Sequence, residues 1–153
     1  MEWDEFTTFI VETGKATHEH EPNSIQEYHP SSWEDTTKHN TYIEKVYYFP
    51  GVDRIATCEH NSPALRIYSP HCEPVKTLRR PDGGVVLCAA HLPRLNQYAI
   101  SSSDLQLTFY DDASHRQIKN APTPSSQMCL SWAPPDGGHG GTLFSAGVSG
   151  IVY

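Results

Sequence analysis

The chain has no apolar run approaching the roughly 20 residues that a bilayer span demands, and 19% of its residues are charged, so the sequence reads as soluble. The first residues carry Glu2, Asp4 and Glu5 where a basic, signal-like stretch would stand, so no secretory signal is expected and the chain reads as intracellular, cytoplasmic. Cysteine is scarce. Cys58, Cys72, Cys88 and Cys129 never form a CxxC pair, and three of them fall inside apolar strand patterns, which points to reduced thiols in a core rather than a disulfide framework or a zinc site.

Basic charge is also short, at 11 Lys and Arg against 18 Asp and Glu. The whole excess lies in residues 1–42, where Glu2, Asp4, Glu5, Glu12, Glu19, Glu21, Glu27, Glu34 and Asp35 face only Lys15 and Lys38; residues 43–153 are balanced. Nucleic acid demands a basic footprint for its phosphates, so that partner class is disfavoured. Glycine-rich phosphate loops, nucleophile elbows and HExxH stretches are missing as well. No catalytic, cofactor or metal site is therefore expected.

What the chain does have is internal repetition. Ile43–Pro50 and Arg54–Cys58 are β-rich and separated by a Gly51-Val52 turn, a hairpin pattern. After Asn61-Ser62-Pro63 come Ala64–Tyr68 and then Pro74–Leu78, making four short antiparallel strands in sequence. The pattern returns as Val85–Ala90, Tyr98–Ser102, the Asp104–Asp111 stretch as a third strand, and a weaker Arg116–Ile118. Phe49-Pro50 matches Leu92-Pro93 at an offset of 43, and Ile67-Tyr68 matches Phe109-Tyr110 at 42. A third unit opens at Gln127–Pro134, where Pro134 follows Pro93 by 41. It continues through a glycine-rich turn to Thr142–Gly147 and Ser149–Tyr153.

A unit of about 40 residues with four strands is the period of a propeller blade, and residues 43–153 resemble the WD40-repeat family. Ser101-Ser102-Ser103-Asp104 and Tyr110-Asp111 stand where that family has its small-residue run and closing Trp-Asp, and Ser145-Ala146-Gly147 with Ser149-Gly150 do so in the third unit. The resemblance implies an all-β fold: a partial WD40-type β-propeller of about 2.6 four-stranded antiparallel blades, at 43–80, 85–122 and an incomplete 126–153. Tyr68 and Tyr110 replace the tryptophan, and His91 lies inside a first strand rather than in a Gly-His pair. The family's buried Asp-His-Ser-Trp hydrogen-bond set is thus expected to be mostly absent, leaving blades held by packing. A β-sandwich is the alternative, since it too shows short strands at regular spacing.

Ahead of the repeats, Trp3, Phe6, Phe9 and Ile10 have an amphipathic helical spacing closed by Gly14, predicting a short helix over 1–14. This segment also resembles the exit of an EF-hand, with Met1, Glu5 and Phe6 at an apolar loop position, the last calcium ligand and the aromatic that opens the exiting helix. Calcium takes roughly 6–8 oxygen ligands, and loop positions 1, 3 and 5 of such a hand would precede Met1, so calcium is a partner only if an intact hand stands upstream. The order helix, linker, blades is similar to animal WD-repeat proteins that carry EF-hands ahead of their propellers. Residues 15–42 read as an acidic polar linker in which His18, His20, His29 and His39 form no firm metal site and Trp33 packs on the first blade.

Asp111-Asp112 beside His115 are expected to be solvated turn residues, and Arg79-Arg80 a surface patch between blades. The function implied is a non-catalytic protein–protein interaction scaffold with other proteins as partners, neither nucleic acid nor membrane. The alternatives are a calcium-responsive EF-hand/WD-repeat module and an enzyme with polar groups converging on a central channel. An incomplete third unit leaves an open strand edge, so the chain alone is expected to be marginally stable or prone to aggregate.

Overall fold

The first two hairpins turn on the same chemistry. In Phe49–Val52 and Leu92–Leu95 a proline takes the second turn position, and Val52 N–H donates to Phe49 O at 3.2 Å while Leu95 N–H donates to Leu92 O at 3.0 Å. Proline's fixed φ suits that position. The next residues, Asp53 and Asn96, adopt left-handed φ of 49° and 52°, which short side chains that bond locally tolerate best.

The computed structural model describes residues 39–80, 83–135 and 141–153, all within the compact unit Asp35–Tyr153. The strands are β1 Ile43–Phe49, β2 Arg54–Glu59, β3 Ala64–Tyr68, β4 Pro74–Arg79, β5 Val86–Leu92, β6 Gln97–Ser102, β7 Gln106–Asp111, β8 Gln117–Pro122, β9 Gln127–Ala133 and β10 Thr142–Gly147. They form three antiparallel sheets, β1-β2-β3-β4, β5-β6-β7-β8 and β9-β10. The chain is all-β over the described residues, and its consecutive four-stranded sheets are compatible with a partial β-propeller. The predicted helix over 1–14 and most of the linker lie outside the described residues.

The predicted strands are found with small shifts. Asp104 and Leu105 turn the corner before β7, and the outer strands β4 and β8 run further than expected. Ser149–Tyr153 contributes a single bridge, Ala146 to Val152, supported by Tyr153 N–H donating to Ser145 O at 2.8 Å. Bulges repeat in register too: the first strands are irregular at Ile43/Lys45, Val86/Cys88 and opposite Ala146/Gly147. This leaves Glu44, Leu87 and Met128 as the extra residues.

Residues on alternate sides of a strand line opposite faces, and the middle sheet is apolar on both. One face gives Ala89, Tyr98, Ile100 and Tyr110 to a core shared with Ala56, Cys58, Leu65, Ile67 and Leu78 of the first sheet. The other gives Leu92, Ala99, Leu107 and Phe109 to a core with Leu130, Trp132 and Leu143 of the third. The first strands β1, β5 and β9 lie next to one another, and β4 and β8 lie outermost with mostly exposed side chains. A two-sheet sandwich buries one face of each sheet; here three sheets stack in sequence order.

Leu65 is fully buried in the first of these cores. Leu65→Ala is expected to cost about 2–5 kcal/mol through lost burial and a residual cavity, read as a lower urea midpoint at an unchanged slope.

Candidate functional site

At the end where the first strands begin and the second strands finish, successive connections are stitched by backbone hydrogen bonds. Val86 N–H donates to Ser62 O at 2.9 Å, Ser103 N–H to Val85 O at 2.9 Å, Thr123 N–H to Leu105 O at 2.8 Å and Val148 N–H to Ser126 O at 3.2 Å. The rim so formed exposes Tyr42, Leu105 and Val148. Tyr42 stacks on His60 with centroids 4.6 Å apart. Leu105 holds a φ of 60°, a left-handed conformation that costs a residue with a Cβ about 1–2 kcal/mol.

Buried polar ties stand directly beneath this rim. In the first sheet the Glu59 carboxylate accepts from His39 Nδ1–H at 2.7 Å and Arg66 Nε–H at 2.7 Å. A carboxylate can only accept, which makes Nδ1 the donor, and the other ring nitrogen, Nε2, is hydrogen-bonded with the Tyr68 hydroxyl at 3.0 Å and with Thr57 Oγ1 at 3.4 Å. In the second sheet the Arg80 guanidinium donates to Ser102 Oγ at 2.7 Å and to the Asp104 carboxylate at 2.6 Å, and Ser102 Oγ–H donates to Asp104 at 2.6 Å. The backbone of Gly84 runs so close that a Cβ there would lie 2.7 Å from the Asp104 carboxylate. A side chain at this position would push the Asp104 carboxylate away from Arg80 and Ser102.

These ties correct two expectations. The sheets are held by more than packing, because His39 and Arg80, in the segments leading to β1 and β5, supply polar hubs where no Gly-His pair could be read. Arg80 is also no surface patch: its side chain is 5% exposed, and only Arg79 of the pair faces solvent.

At the opposite end, Asp112 departs from the solvated role expected of it. Its carboxylate accepts from His91 Nε2–H at 2.9 Å, and both side chains are nearly buried. His91 packs on Phe49 and Tyr98, and Tyr98 stacks in turn on His115. Burial, then the charge of Lys76, lowers the His115 imidazole pKa. Asp111 stays at the surface, its carboxyl pulled down by hydrogen bonds from the Ser114 hydroxyl and backbone. The arrangement is a clamp between β5 and the β7–β8 turn.

Near the adjacent first strands, Lys45 Nζ donates to Leu87 O at 2.7 Å and Met128 O at 3.0 Å. Both acceptors belong to bulge residues, whose backbone groups a bulge frees from the ladder. Lys45, Cys88 and Cys129 hold equivalent register positions. Burial pushes the Cys58 thiol up to about 11 and the Cys88 thiol up to about 12, with Lys45 opposing in both cases. All four cysteines are free, Cys58 and Cys88 buried and Cys72 and Cys129 exposed.

Among the described residues no three His, Cys, Asp or Glu side chains are grouped to hold a metal ion, and no helix is long and apolar enough to cross a membrane. Glu5 and the His18, His20 and His29 positions lie outside the described residues. The sequence reading missed Thr57, Glu59 and Arg66, and it placed His39 in the linker; the His39 contacts join residues 18 to 29 positions apart, which no local pattern marks. Compared with known protein families and curated proteins, the chain matches none.

Two outcomes are expected. Tyr68→Phe should cost about 1 kcal/mol by removing a partnered hydroxyl. The equivalent Tyr110→Phe should be neutral or stabilising, since the Tyr110 hydroxyl is buried without a partner among the described residues; paired urea titrations compare them. Thiol labelling of the folded chain should modify Cys72 quickly and spare Cys58 and Cys88. Because the two buried thiols titrate above their ordinary value of 9.0, their contribution to stability is complete below about pH 9 and is lost as pH rises toward 11–12, visible as a falling melting temperature.

Proposed function

We propose that the chain is a non-catalytic scaffold for protein–protein interaction, built from WD-type repeats as about 2.6 blades of a β-propeller. Its partners are other proteins, met inside the cell, a compartment that suits four free thiols. Three in-phase repeats, three stacked sheets with their first strands side by side, and bulges that recur in register all support the propeller reading.

The observation that carries the interaction reading is Leu105. An apolar side chain is held outward, in a costly left-handed conformation, on turns locked by backbone hydrogen bonds and by the buried Arg80 paired with Asp104. Strain at an exposed position on a rigid frame points to recognition. The chemistry-bearing side chains beneath it bond to one another across strands, which favours scaffolding over catalysis.

Leu105→Gly removes the side chain and relieves the φ, while glycine's larger unfolded-state freedom offsets the gain. Stability is expected to stay within about 1 kcal/mol of the starting protein. The immobilised full chain should enrich at least one protein from a cytoplasmic extract that the Leu105→Gly chain recovers about tenfold less well. No enriched protein, or equal recovery by both chains, counts against the scaffold.

A further inference from the structure

The register of each sheet defines a face toward the preceding sheet and a face toward the next. Inside the chain, the trailing face of the first sheet meets the leading face of the second, and the trailing face of the second meets the leading face of the third. Two faces are left over. On the leading face of the first sheet, Val46 is 64% exposed, although the equivalent Ala89, 43 residues on, is 2% exposed in the first core. On the trailing face of the third sheet, Phe144 is 44% exposed, although the equivalent Ala56 and Ala99 are fully buried under the sheet that follows each. Apolar side chains thus occupy, uncovered, the positions that form cores wherever a neighbouring sheet is present.

The two faces are complementary by construction. Val46 and Tyr48 sit where Ala89 and His91 sit on a leading face, and where Leu130 and Trp132 sit on the next, at offsets of 43 and then 41. Phe144 and Cys129 belong to the trailing face that such a leading face would cover. A leading face of this chain therefore fits a trailing face of this chain, as it does twice within the chain.

Resting on the reading of the sheets as successive repeats, we propose that a second copy of this chain covers both faces, the first sheet of each copy packing head to tail on the third sheet of the other. Such heterologous contacts close into a ring when the rotation allows. Two copies supply six sheets, within the roughly 4–8 that close a propeller.

Light scattering after size exclusion is the test, on the full chain with Val46→Asp and Phe144→Asp as variants. Both substitutions are at exposed positions, so each variant is expected to fold. The unsubstituted chain should run at twice its 17.1 kDa mass. Each variant alone should be monomeric, and an equal mixture of the two should associate again through the one pair of unsubstituted faces. Cys129, on the trailing face, should be labelled at least about tenfold more slowly in the unsubstituted dimer than in Val46→Asp.

A monomer at every concentration overturns the proposal, as does a dimer indifferent to both substitutions, which would mark strand-edge pairing. Monomeric variants that fail to associate on mixing overturn the head-to-tail arrangement. Leu105→Gly, on the rim, should leave the dimer intact, so failure of the interface and failure of partner recognition are read separately.

Discussion

The middle sheet, β5–β8, is apolar on both faces, and much of the remaining organisation answers that constraint. An apolar face in water is costly at roughly 25 cal/mol per Å², so a sheet with two such faces requires a cover on each. The first and third sheets provide them, and they settle side by side in chain order because the links between repeats are short. The same requirement explains the composition of β5, where Val86, Cys88, Ala89, Ala90 and Leu92 are buried on alternating sides, in contrast to the polar outer strands β4 and β8.

Apolar packing alone leaves the rotation between neighbouring sheets loosely determined, and directional contacts restrict it. Lys45 reaches from the first sheet to carbonyl oxygens of both others, a charge-assisted pair of bonds at the place where the first strands converge. The Tyr47 hydroxyl accepts from Ala89 N–H at 3.3 Å, and Ser101 Oγ–H donates to Gln127 O at 2.9 Å. These are contacts between sheets, whereas His39–Glu59 and Arg80–Asp104 brace the turns that the sheets display. The division gives a rigid frame with its exposed apolar residues set on turns and on outer faces.

Strand order, hairpin turns and the repeat were legible in the sequence because they depend on near neighbours: alternation within a strand, Pro50 and Pro93 in their turns, and the phase between Tyr68 and Tyr110. The polar ties were not legible in the same way. Arg80 reads as a surface charge beside Arg79, and only the return of the chain through β6 brings Ser102 and Asp104 against it. Asp112 reads as a solvated turn residue, since nothing local reveals that His91, 21 residues earlier, lies across the strand with its Nε2 facing outward to it.

The sequence by itself determined an all-β chain of repeated antiparallel strands with an acidic segment ahead of it, because periodicity, turn chemistry and charge are local properties. Tertiary structure decided which polar residues are partners and which apolar ones stay uncovered. Val46, Ala89 and Leu130 hold equivalent places in the repeat, yet they differ in burial because the presence of a neighbouring sheet, and not the residue's own position in its strand, removes a face from water.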